Sequence, residues 1–164
     1  MLGHALTADG VGGSDGADTG LRELAISVFD TLDRHQWAAS HLTAPGTLPN
    51  ALRLLDTIGT LVARTGLPAG RHFTTATAIF FFVTGVSAQI IAPAPAADAA
   101  TDATTGRDAY LAETADRWAS FDPADYPFLS RTAADLRDHD DRDQFIIGLD
   151  LLLNGLHTSA PDRE

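Results

Sequence analysis

The stretch FIIGLDLLLNGL, residues 145–156, constrains this chain more than any other. It holds five Leu and no Pro, and it is too long for one strand, so its pattern predicts a helix. Phe145, Leu149, Leu152, Leu153 and Leu156 make one apolar stripe at helical spacing. Ile146, Ile147 and Leu151 lie off that stripe. A helix with one wet face does not need them. A helix packed on two sides does, for example between its own core and a partner subunit. Gly148 and Gly155 are seven residues apart and share a face. Glycine costs roughly 1 kcal/mol against Ala in a helix interior. Two on one face therefore predict close backbone approach to another element.

The remainder of the chain reads as helices around that one. Residues 1–18, with Gly10, Gly12, Gly13 and Gly16, form an expected flexible leader. No strand precedes these glycines, so a dinucleotide loop is rejected. A first helix is expected from about Thr19 to His35, capped by Asp18 or Thr19. A shorter helical piece, 36–42, carries Trp37 and His41 before the Ala-Pro-Gly break at 44–46. Pro49 suits the first position of a helix running to Thr65, and Gly66 suits its end. A long helix follows from Ala69 to Ile91, apolar round most of its second half and stopped by Pro93 and Pro95.

Residues 93–106 are a low-complexity Ala/Asp/Thr linker. Helices are expected over 107–120 and from Tyr126-Pro127 to about Arg137, after a turn at Asp122-Pro123. The run Asp138-His139-Asp140-Asp141 has metal-ligand residue types. Consecutive carboxylates do not all face one ion. Asp141 with Gln144 three residues on reads better as a capping box for the last helix. Residues 158–164 form a frayed tail. No segment alternates like a strand, so the fold class is all-α.

Composition excludes several functions. All eleven basic residues are Arg, net charge is −11, and no basic cluster occurs, so the chain offers no phosphate-neutralising surface for nucleic acid. Cysteine is absent, which removes disulfides and thiolate metal sites. The N-terminus has no signal-peptide pattern, and a cytoplasmic protein is expected. Residues 76–92 are short for a membrane span and carry Thr77, Thr84, Ser87 and Gln89, so no membrane partner is expected. No catalytic motif of the G-x-S-x-G, H-E-x-x-H or phosphate-loop type is present, and no metal or cofactor is expected.

Four pieces in order carry a family resemblance. They are RHQWAASHLTAPGTLPNALRLLDTI at 34–58, GLPAGRHFTTATAIFFFVTG at 66–85, the variable connection at 93–106, and DQFIIGLDLLLNGL at 143–156. Together they resemble the C-terminal, ligand-binding and dimerisation domain of tetracycline-repressor-type (TetR) regulators, over about residues 19–157. The resemblance implies a helical bundle that dimerises through a four-helix seam. The seam would use Phe82, Gly85 and Gln89 of the long helix with Phe145, Gly148, Leu149, Leu152 and Gly155. It also implies a pocket for a hydrophobic or polycyclic small molecule, lined by Ser27, Trp37, His41, Leu54, Ile58, Phe73, Thr77, Phe80 and Phe81.

The family's helix-turn-helix head is not matched, so DNA binding through this chain is not expected. Arg53 and Asp56 suggest a local ion pair, and His72 beside Arg71 suggests the pocket mouth. The expected function is small-molecule binding and homodimerisation in a regulator. The alternative is a cofactor-independent cyclase or isomerase of specialised metabolism on the same scaffold, with His41 or Glu23 as acid or base.

Overall fold

The helical spacings become six helices in the computed structural model, which describes residues 14–34, 49–91 and 103–157. They are α1 (Ser14–Arg34), α2 (Pro49–Val62), α3 (Ala69–Ile91), α4 (Ala103–Ala119), α5 (Pro127–Arg137) and α6 (Asp141–His157). Among the described residues no strand occurs, and the protein is an all-α bundle. The chain divides into two compact units, Met1–Ile91 with Phe145–Glu164, and Ala92–Gln144.

In the first unit α1, α2, α3 and the body of α6 enclose one apolar core. Ala17, Leu21, Ala25, Phe29 and Leu32 of α1 are buried. Ala17 extends the stripe one turn toward the N-terminus, and α1 accordingly starts at Ser14. The expected caps Asp18 and Thr19 therefore lie inside the helix, and the last residues of the expected leader are helical. Ile58 and Val62 of α2, Ile79, Phe80 and Val83 of α3, and Phe145, Leu149 and Leu153 of α6 complete the core. Burying a side chain of this size contributes roughly 1.5–3 kcal/mol. Thr84 and Ser87 are buried in α3 and donate to the Phe80 and Val83 carbonyls at 2.8 and 2.7 Å. The helix backbone thus satisfies hydroxyls that would otherwise be costly to bury.

The α2 helix starts at Pro49, as its fixed φ favours, and ends at Val62, three residues short of the expected Thr65. Thr65 uses both its N–H and its hydroxyl on the Val62 carbonyl, which tightens the last turn. Gly66 then reverses the chain at φ 83°. Nothing lies within 4 Å of where its side chain would start, so Gly66→Ala meets backbone strain alone. It should lower stability by about 1–2 kcal/mol in a denaturant titration.

In the second unit α4 packs against α5 around Leu111, Ala115 and Ala133. Helix α4 starts at Ala103, so the end of the expected linker is helical; the linker's earlier residues lie outside the described ones. Asp122 accepts the Ala124 N–H at 2.8 Å and makes the expected turn, and Pro127 opens α5. Arg137 pairs with Asp116 across the two helices. The cap of α6 is displaced by one residue from expectation. Asp140, not Asp141, accepts the Asp143 N–H, at 2.8 Å. The Asp141 carboxylate is held instead by Arg107 and by His139, the latter at 2.8 Å. Among the described residues no group of three or more His, Cys, Asp or Glu is placed to hold a metal ion. No helix among them is long and apolar enough to cross a membrane.

Candidate functional site

Of the nine residues expected to line a pocket seven are described, and none of these seven lines either of the two depressions described below. Ile58 and Phe80 are packed in the core of the first unit, and Leu54 packs against it. Thr77 is half-buried and donates to the Phe73 carbonyl at 2.9 Å. Ser27, Phe73 and Phe81 are exposed. Trp37 and His41 lie outside the described residues. Phe73, Thr77 and Phe80 share one face of α3, whereas Phe81 is turned toward the face that carries Ala78. Phe81 is thus on a different side of α3 from Phe73, Thr77 and Phe80. His72 donates from Nε2 to the Leu67 carbonyl at 2.8 Å and so braces the α2–α3 connection. Arg53 and Asp56 are exposed and form no ion pair with each other. Glu23 is exposed on α1, and the other acid–base candidate, His41, lies outside the described residues.

The seam residues are also redistributed. Phe145 and Leu149 are fully enclosed in their own subunit's core. Phe145 stacks on Phe29 at 4.4 Å and on Phe82 at 5.5 Å. A residue held on both sides by its own chain has no surface to offer a partner. The reason is rotational: of the two apolar faces of α6, the core takes the Phe145–Leu149–Leu153 stripe. In that rotation Arg22 on α1 pairs with Asp150 at 2.8 Å. Leu152 is half-buried, and Gly148 has its close contact inside the subunit, against Phe82. Gly85 is half-buried and Gly155 exposed, both with open space around them, and Gln89 is exposed.

What the rotation leaves outward is Ile147, 63% exposed, and Leu151, 71% exposed. Gln144, Asn154 and Gly155 share that face of α6. Thr74, Ala78, Phe81, Gly85 and Gln89 make a similar stripe on α3. The two stripes border a shallow depression of about 370 Å³, where Arg71, Thr74 and Ala78 meet Leu151, Leu152 and Gly155. No charged residue occurs between Phe73 and Ile91. From Gln144 to Leu156 the one charged residue is Asp150, already paired with Arg22. Sequence spacing marks Ile146, Ile147 and Leu151 as surplus apolar residues; Ile147 and Leu151 are on this surface, whereas Ile146 packs against the core. A second depression, about 310 Å³, lies between α1 and α6 around the Arg22–Asp150 pair, with Leu153 at its base among polar residues.

One family model matches this chain over most of its length. Residues 12–160 match the tetracyclin repressor-like C-terminal domain. The chain belongs to this family. Among solved structures it is similar to a TetR transcriptional regulator from Streptomyces coelicolor, with 27% sequence identity and a TM-score of 0.69. That similarity covers 85% of this chain and 65% of the regulator. The chain thus spans just under two thirds of the regulator's length. A comparison with curated proteins gives no significant match.

Proposed function

We propose that this TetR-type domain is a homodimerising, small-molecule-responsive part of a transcriptional regulator, and that its seam is the outward face of α3 and α6. One observation carries the reading: Ile147 and Leu151 stand exposed on α6 beside the uncharged stripe of α3. An isologous contact sets each side chain against the same patch of the partner, so like charges there repel. In a chain of net charge −11, a face whose charges are few, Arg71 at its rim and Asp150 paired with Arg22, fits a second copy of itself better than a highly charged partner. The small residues Ala78, Gly85 and Gly155 allow the helices to approach closely, and Phe81, Ile147 and Leu151 supply the apolar area.

The ligand would be a hydrophobic small molecule held between α1, α2 and α3, with Leu54, Phe73 and Thr77 as candidate contacts. Phe73, Thr77 and Phe80 share a side of α3 that provides aromatic surface with one hydroxyl. Binding there would act on a regulator by favouring one arrangement of the dimer over another. Sedimentation velocity tests the assembly first. A species near twice 17.3 kDa at micromolar concentration is expected. A monomer persisting to high concentration overturns the seam.

A further inference from the structure

We propose that Gly148 and Phe82 form a ring-and-seat contact that sets the spacing of α3 and α6 and thereby the geometry of the dimer seam. This rests on the homodimer reading above and assigns the residues inside each subunit that hold the seam in shape.

An ideal Cβ on Gly148 would stand 2.7 Å from Cζ of Phe82 and 3.0 Å from its Cε2. The tip of the Phe82 ring therefore occupies the place where any other residue would begin its side chain. The ring has little freedom to withdraw. Its face stacks on Phe145 at 5.5 Å and 24°, and Phe145 in turn stacks on Phe29 at 4.4 Å and 23°. Phe145 is wholly buried. The three rings form a column from α1 through α6 to α3, and its last ring rests on the α6 backbone. In close-packed interiors a shift at one end of such a column is passed on, because there is no void to absorb it.

The neighbours of this contact along the chain give it a role in assembly. Phe82 follows Phe81 on α3, and Gly148 follows Ile147 on α6. Phe81 and Ile147 are exposed members of the proposed seam. A wedge between Phe82 and Gly148 spreads the two helices at the point where both present an apolar side chain outward. Gly85 and Gly155 differ, since a Cβ at either meets nothing within 4 Å. Of these three glycines, Gly148 alone is required by contacts within the subunit.

A double-mutant cycle tests the contact, with dimer dissociation measured by sedimentation and thermal unfolding followed in parallel. Gly148→Ala should weaken the dimer roughly tenfold, a coupling of the size that touching residues commonly show. Phe82→Leu withdraws the ring tip and frees space for a Cβ. On that background Gly148→Ala should change dimer affinity by no more than about twofold. If Gly148→Ala alone does not fold, a double variant that folds and dimerises like Phe82→Leu supports the contact, and one that does not fold or dimerise overturns it. An alanine that weakens the dimer equally on both backgrounds, or on neither, overturns the ring-and-seat role. A monomeric wild type overturns the homodimer reading and this inference with it. A wild-type dimer indifferent to the cycle overturns this inference alone.

Discussion

Leu151→Glu should convert the dimer to a folded monomer. Leu151 is the most exposed apolar side chain of α6, and within one chain little rests on it. Substitution at a site of that kind normally changes fold stability by no more than about 0.5 kcal/mol. In a two-fold seam the same substitution counts twice. Each lost leucine forfeits roughly 1.5–3 kcal/mol of burial. Each new carboxylate must in addition lose its water beside a like charge or remain wet by opening the interface. Together these should raise the dissociation constant by at least about a hundredfold. Sedimentation velocity at micromolar concentration should show a monomer, and circular dichroism should show unchanged helix content. A variant that remains dimeric places the seam on another face. A variant that loses its helices shows that Leu151 supports the subunit itself.

The choice of Leu151 over Leu152 marks what the sequence could and could not convey. The helices were legible because their signals are local. Apolar spacing, Pro49 and Pro127 at helix starts, and Gly66 at a helix end depend on neighbours a few residues away. The expected bounds of α3, Ala69 to Ile91, are those observed. Errors arose where an end depends on a distant partner. Asp141 does not cap α6 because Arg107, thirty-four residues earlier, pairs with its carboxylate. Helix α1 begins early because Ala17 finds a place in the core.

The surfaces were legible in kind and not in orientation. Periodicity shows that α6 has two apolar faces. It does not say which one turns inward, since Phe145–Leu149–Leu153 and Ile147–Leu151 both have helical spacing. The decision is made by tertiary contacts: Phe29 stacked on Phe145, and Arg22 paired with Asp150 on the side between the two faces. Pocket residues are hard to tell from core residues for a related reason. Ile58 and Phe80 have the composition of ligand-lining residues, and equally of a core, and the core has them. Aromatic and apolar character is common to both environments, and sequence spacing does not separate them.

Phe145→Ala should have the largest effect on folding, and it separates the two faces of α6 by experiment. Phe145 has no exposed surface and is stacked between Phe29 and Phe82. Truncating a buried Phe to Ala typically costs about 3–5 kcal/mol, because the cavity is only partly refilled. The column then loses both of its stacking contacts, worth about 0.5–1.5 kcal/mol each beyond area alone. Against a total stability of about 5–15 kcal/mol, that is a large fraction. For a chain of 164 residues the thermal midpoint should fall by roughly 10 °C or more. Ile147→Ala, two residues away, should leave the midpoint of the isolated subunit nearly unchanged and weaken the dimer instead. The paired outcome follows from the rotation of α6 about its own axis. If Phe145→Ala dissociated a dimer of undiminished subunit stability, the stripe would lie on the seam, and α6 would have to turn so that Ile147 and Leu151 pointed inward. That turn would take Phe145, Leu149 and Leu153 out of the core and carry Asp150 away from Arg22, and the buried stripe is what chiefly opposes it.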